Sequence, residues 1–278
     1  MTVIKHNHIL ETNMPLTNSE QNIKIKNVIC IKWGRRYSSD YVNRLYNMVS
    51  KNTTVPFDFY CFTEDATGLD SKIIVKPLPV LNVSPEDNKY SYIKEAGLCD
   101  DNLGGLNGQR VLYFDLDVVI VGNIDGFFSY TQEDDFVIIN DWNSRGDRVG
   151  QASCYSWVVG TLGYVKRYFE EHPREVVARF FTASQEFLSD QVMKKRGALK
   201  FWPEQWCRSF RFHCMPFGPL RAFIPPRIPA GAKLIIFHGS PKPHEALAGK
   251  WSFDFKVPLY KRWYKTVRET RWIGTYWK

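Results

Sequence analysis

The stretch Arg110-Val-Leu-Tyr-Phe-Asp115-Leu-Asp117-Val-Val-Ile-Val121 constrains this chain more than any other. Residues 111–114 form a short, continuous apolar run, the pattern of a parallel strand covered on both faces. Asp115 and Asp117 follow at i, i+2, so in an extended segment both carboxylates point to the same side. Two like charges that close repel each other and lose solvation in apolar company unless a cation neutralises them. A hard divalent ion with oxygen ligands meets that need. Read alone, Asp117 also suits the cap of a turn, but the end of a buried strand is where α/β sheets bind ligands.

Around this stretch the chain alternates strands and helices. Residues 27–31 and 57–62 read as buried strands, and residues 72–75 as a third. A helix starts at Ser38-Ser39-Asp40 and runs to about Lys51, with Tyr41, Leu45, Met48 and Val49 on one face. Residues 91–98 read as a short helix, and residues 101–108 as a Gly/Asn-rich loop feeding the Asp-x-Asp strand. Beyond it come strands at 136–139 and 155–162, helices at 164–172, 174–182 and around 190–196, and a last strand at 233–237. Residues 143–153 are polar with two glycines and read as a mobile loop. The alternation gives an α/β class with a mostly parallel sheet flanked by helices, in one large domain of residues 25–248. Residues 1–24 are polar and unpatterned, a flexible arm, and residues 249–278 form a basic, Trp-rich tail.

Composition excludes several classes. With 44% hydrophobic and 15% aromatic residues, 278 residues can bury a large core. The net charge is +8, but residues 250–278 hold eight Lys/Arg against two Asp/Glu, so the body is nearly neutral and offers no nucleic-acid-binding face. The six cysteines, at 30, 61, 99, 154, 207 and 214, lack Cys-x-x-Cys spacing and read as buried thiols of a reducing compartment. No signal-like or membrane-spanning run is present, so a cytoplasmic location is expected. Gly-x-Gly-x-x-Gly and the phosphate-loop lysine motif are both missing, which sets aside dehydrogenase and kinase-type NTPase.

A second cluster lies in Ile236-Phe-His-Gly-Ser-Pro-Lys-Pro243, where His238 ends a strand four residues before Lys242. Two aspartates and one imidazole leave open positions on a Mn²⁺-like (or Mg²⁺) ion for diphosphate oxygens, and Lys242 adds a point charge to the same phosphates. Together they would stabilise a nucleoside diphosphate as leaving group.

In these two segments the chain resembles the GT-A-fold glycosyltransferases, over roughly residues 27–246, and is most similar to their glycogenin-like branch. The resemblance implies a Rossmann-like fold and transfer of a sugar from a nucleotide sugar, UDP-sugar favoured, to a glycan, lipid-linked or protein acceptor. It implies Asp115, Asp117 and His238 as metal ligands, with Asp115 and Lys242 against the donor diphosphate. Lys32, Trp33, Tyr37, Thr63 and Glu64 would surround base and ribose, and Lys94 would approach phosphate or sugar. Asp141, Trp142 and the Asp190-Gln191 pair would line the sugar pocket, with Asp141 or Asp190 the catalytic carboxylate. The sequence departs from that branch in the His-to-Lys spacing, in having His244 where a Trp follows the Pro, and in Tyr155-Ser156-Trp157 where Asn-x-Gly stands.

Taken residue by residue, other roles stay open. Asp190 after Ser189 equally starts a helix, Trp33, Trp142 and Trp157 equally fill a core, and Lys94 equally sits on a solvated helix. Asp115-Leu-Asp117 also resembles the haloacid-dehalogenase phosphatase motif, and a non-catalytic nucleotide-sugar or carbohydrate-binding relative is a further alternative. In the tail, Tyr260, Trp263, Tyr264 and Val267 recur at helical spacing among Lys261, Arg262, Lys265, Arg268 and Arg271. Such a helix either docks on the domain or lies on the inner face of an anionic membrane.

Overall fold

The apolar runs do become the centre of a sheet. A computed structural model describes residues 25–87, 92–131, 135–143, 148–252 and 265–278. Strands β1 (Lys26–Lys32), β2 (Phe57–Thr63), β3 (Ile74–Lys76), β4 (Arg110–Phe114), β6 (Val137–Asn140), β7 (Gly150–Val158) and β8 (Lys200–Phe201) form a seven-stranded sheet in the order β3-β2-β1-β4-β7-β6-β8. Only β7 runs antiparallel to its neighbours, β4 and β6. The fold is thus the expected mixed α/β domain with a mostly parallel central sheet.

Both faces of that sheet are buried, which is why its strands read as unbroken apolar runs. Val28, Cys30, Phe59, Cys61, Leu112 and Phe114 face one core layer, under α1 (Ser39–Asn52) through Val42, Leu45, Met48 and Val49. Ile29, Ile31, Phe62, Val111, Tyr113, Tyr155 and Trp157 face the other, under α3 (Gly163–Glu171) and α5 (Ser184–Arg196), with the shorter α4 (Pro173–Phe180) between them. Helix α2 (Asp125–Ser129) lies on the first side and buries Phe127.

The second sheet was not anticipated. Val118–Ile120 (β5), Cys207–Ser209 (β9) and Leu234–Ile236 (β10) form a three-stranded sheet in the order β5-β10-β9. The stretch at 110–121 is therefore two strands in two sheets, and Asp115-Leu116-Asp117 is the joint between them.

Other expectations need correction. Residues 150–153 are not loop but the first part of β7, where Gln151 and Ser153 are buried and hydrogen-bonded to each other. Their polarity serves a buried cleft, which local composition cannot distinguish from a solvated loop. Helix α5 begins at Ser184, well before the expected start; Phe187, Leu188, Ser189, Gln191 and Val192 are all buried, so no single apolar stripe marks it. Residues 92–96 make turns and Gly97–Cys99 one 3₁₀ turn, not a full helix.

Residues 1–24 and most of the expected tail helix lie outside the described residues. Residues 265–271 are not helical; the described helix is Trp272–Tyr276, followed by Trp277. Ile273 and Trp277 are buried in the first core layer, and Arg44 lies over the Trp277 ring at 4.5 Å and donates to its carbonyl at 2.9 Å. All six cysteines are buried and free. Among the described residues no helix is long and apolar enough to cross a membrane.

Candidate active site

Strands β1 and β4 are parallel neighbours, so their C-terminal ends open at one edge of the sheet. There a cleft of about 450 Å³ is lined by Trp33, Arg36, Tyr37, Lys94, Asp115, Asp117, His238 and Lys242, among others. Strand pairing brings the two distant motifs together. Ile236 pairs with Val118, and the Phe237 amide donates to the Asp117 carbonyl at 3.2 Å, so His238 emerges beside the aspartates. Gly239, at φ +77°, turns the chain in the left-handed region that glycine adopts freely. Lys242 is then the N-cap of α6 (Pro243–Leu247), its amide fixed by the Glu245 carboxylate at 2.7 Å, and its side chain reaches back into the cleft.

Each aspartate has its own cation. Lys94 Nζ donates to both oxygens of Asp115 at 3.2 Å, and Asp115 also accepts from the Tyr113 hydroxyl at 2.6 Å and the Ser153 hydroxyl at 2.8 Å. Lys242 Nζ donates to Asp117 Oδ2, which also accepts from the Tyr37 hydroxyl at 2.8 Å. Burial opposes the charge on Lys94, but Asp115 and Glu95 outweigh it and hold its pKa above the usual lysine range. Burial, then the Asp117 charge, pushes the Tyr37 phenol up, so it stays a proton donor.

His238 differs in kind. Its Nε2 is 2.6 Å from the Ser209 hydroxyl, and its ring stacks on Trp142 and Phe212 at 5.7 and 5.5 Å. Burial, then Arg211, lowers its pKa to about 4, so the ring is neutral at neutral pH, the form that ligates metals. Among the described residues no three carboxylate, imidazole or thiol side chains converge as a ready metal site. The donor set nevertheless fits a hard ion in kind: two carboxylates and a neutral imidazole on one cleft. The charge count agrees, because Arg36, Lys94 and Lys242 only balance Glu95, Asp115 and Asp117. An incoming diphosphate would be uncompensated without a further cation.

Comparison with solved structures shows what scaffold carries this cleft. The galactosyltransferase LgtC, in complex with donor and acceptor sugar analogues, matches 91% of this chain and 96% of its own, with TM-score 0.54 at 12% identity. This is the GT-A glycosyltransferase fold. An active-site mutant of LgtC matches 85% of this chain and 93% of its own, with TM-score 0.52 at 11% identity. No protein-family model matches the sequence, and no curated protein matches it either.

Within this GT-A scaffold the expected site residues separate into groups. Asp115, Asp117, His238, Lys242, Lys94, Tyr37 and Trp33 all line the cleft. Asp141 and Trp142 instead line a separate cavity of about 320 Å³ with Trp202 and Pro203, although the Trp142 ring stacks on His238. Lys32, Thr63 and Glu64 instead organise the strand ends. Lys32 Nζ donates to the Asp65 carbonyl at 3.3 Å, as does the Thr63 hydroxyl at 3.1 Å, while Glu64 accepts from the Gly34 amide at 2.6 Å. Asp190 is placed away from the cleft lining, in ion pairs with Arg179 and Lys194 at 2.8 Å each. Trp157 is fully buried core, stacked on Tyr155. Arg36, Gln151, Ser153, Ser184 and Gly239 line the cleft without having been singled out. No local signal flags them, since Gln151 and Ser153 sit in a polar segment that reads as loop.

Proposed function

We propose that the protein is a glycosyltransferase that moves a sugar from a nucleoside-diphosphate sugar, UDP-sugar favoured, to an acceptor hydroxyl. One observation carries the reading: two aspartates at the joint between the sheets, each matched by a lysine and facing one cleft. The C1–oxygen bond to the diphosphate breaks, and the nucleoside diphosphate leaves with the electron pair. Lys94 and Lys242 neutralise the negative charge that develops on it, and the Tyr37 hydroxyl donates a hydrogen bond to a phosphate oxygen. Asp115, Asp117 and His238 are the residues that would hold Mn²⁺ or Mg²⁺, which when bound supplies Lewis-acid neutralisation at the diphosphate. Asp141, close to the His238 end of the cleft, orients the acceptor hydroxyl and takes its proton if configuration is inverted. Asp190 serves the α4–α5 packing in this arrangement, and a catalytic role for it requires α5 to move. Trp33 and Arg36 offer an aromatic and a cationic wall for base and phosphate. The location proposed for this reaction is a reducing compartment, in keeping with the six buried thiols.

The experiment is release of free nucleoside diphosphate from UDP-, GDP- and ADP-sugars with Mn²⁺. Release from one donor, lost in Asp117→Ala and on chelation, is the expected result. No release from any donor, with or without glycan or lipid-linked acceptors, contradicts the reading and turns attention to phosphate monoesters.

A further inference from the structure

An exposed apolar loop stands beside the cleft. After β9, a turn of π-helix (Phe210–Cys214) leads into residues 215–226, whose base is closed by the Arg227 amide donating to the Cys214 carbonyl at 3.0 Å. Trp272 pins the same base, its indole donating to the Pro226 carbonyl at 3.1 Å. Pro216, Pro219, Pro225 and Pro226 stiffen the loop, which contains the 3₁₀ turn Gly218–Ala222, none of whose residues is buried. At its surface Phe217 is 87% and Phe223 77% exposed, with Leu220 and Ile224 beside them. Large apolar side chains held outward on a stiff loop do nothing for this domain's own core, and contiguous patches of this kind mark interaction surfaces.

Charge identifies the occupant. No Asp or Glu occurs anywhere in residues 205–244. Arg211, Arg221 and Arg227 form no ion pair among the described residues; Arg221 Nε donates only to the Pro216 carbonyl at 2.9 Å, and burial, then the neighbouring Arg211, disfavours its charge. Aromatic and aliphatic tips interleaved with unpaired arginines, and free of carboxylates, complement a surface with an apolar interior and an anionic rim. We propose that this loop seats the protein on an anionic membrane interface, Phe217 and Phe223 entering the acyl boundary and the arginines meeting headgroup phosphates. Phe212, at the root of the loop, stacks on His238, so the seated protein has its cleft beside the lipid surface. The proposal is independent of the sugar-transfer reading.

The test is co-sedimentation of the full chain with phosphatidylcholine vesicles, plain or carrying phosphatidylglycerol. Wild type sediments with the anionic vesicles and not with the neutral ones. Phe217→Ser/Phe223→Ser and Arg221→Gln/Arg227→Gln each lower partitioning by at least about tenfold. Far-UV circular dichroism and vesicle-free nucleotide release are unchanged in the phenylalanine pair. Absent sedimentation, equal sedimentation with neutral vesicles, or wild-type binding by either pair overturns the proposal, the last assigning any membrane contact to another surface such as the basic tail.

Discussion

The pairing of each aspartate with its own lysine is the residue-scale fact on which the cleft depends. Asp115 and Lys94 are both largely withdrawn from water, with side-chain exposures of 19% and 17%. Removing one partner of such a pair strands the other, which costs more than the pair itself contributes. Lys94→Met is therefore expected to destabilise the fold by about 2 kcal/mol, and Asp115→Asn in the same chain to restore part of it. Urea unfolding of the two variants reads this. A double variant no more stable than the single one shows that ion pairing is not the cause. Part of this scale was legible beforehand, because Asp115, Asp117, His238 and Lys242 each sit at the end of an apolar run or in a short motif, whereas Lys94 and Tyr37 were expected only through the family resemblance. Nothing local marked Arg36, which enters the cleft only through tertiary placement. Asp190 shows the reverse: a motif resemblance drew attention to a carboxylate whose neighbours, Arg179 and Lys194, hold it elsewhere.

At the scale of elements, one small contact ties the start of α2 to the segment that follows α1. Asp125, in the first turn of α2, accepts from the Thr53 hydroxyl at 2.6 Å, the Thr54 amide at 3.0 Å, the Thr54 hydroxyl at 2.6 Å and Asn123 Nδ2 at 2.9 Å. Partial burial works against its charge, but these donors prevail and hold its carboxyl well below the usual range. A depressed folded pKa stabilises above the unfolded value and is lost as pH falls through the folded one. Asp125→Ala is expected to cost about 1–2 kcal/mol at neutral pH, with the gap from wild type closing below about pH 4. Urea midpoints from pH 7 to pH 3 measure it; a gap constant with pH contradicts the assignment. Long, strongly patterned elements such as β1, α1 and β4 could be read from the sequence. The strand at β10 was also expected, but the three-residue strands β5 and β9 and the second sheet they form with it were not, because three residues carry no period and the pairing is wholly non-local. The start of β7 was missed because Gln151 and Ser153 are polar for the sake of the cleft.

For the whole molecule, the two sheets explain why the site exists. The seven-stranded sheet fixes the Asp115 end, the small sheet carries Asp117 onto β5, and β10 returns antiparallel beside it with His238 and Lys242. Residues more than a hundred positions apart in the chain meet because Asp115-Leu116-Asp117 is the joint where the chain changes sheets. That architecture is the GT-A fold, and the proposed function requires its cleft to bind a nucleoside diphosphate through those carboxylates. Calorimetric titration of UDP, with and without Mn²⁺, into wild type and Asp117→Asn tests it most directly. Saturable one-to-one binding with Mn²⁺ is expected, with a loss of at least about tenfold in affinity in the variant. Affinity unchanged by Asp117→Asn, or no binding of UDP, GDP or ADP with either Mn²⁺ or Mg²⁺, would contradict it.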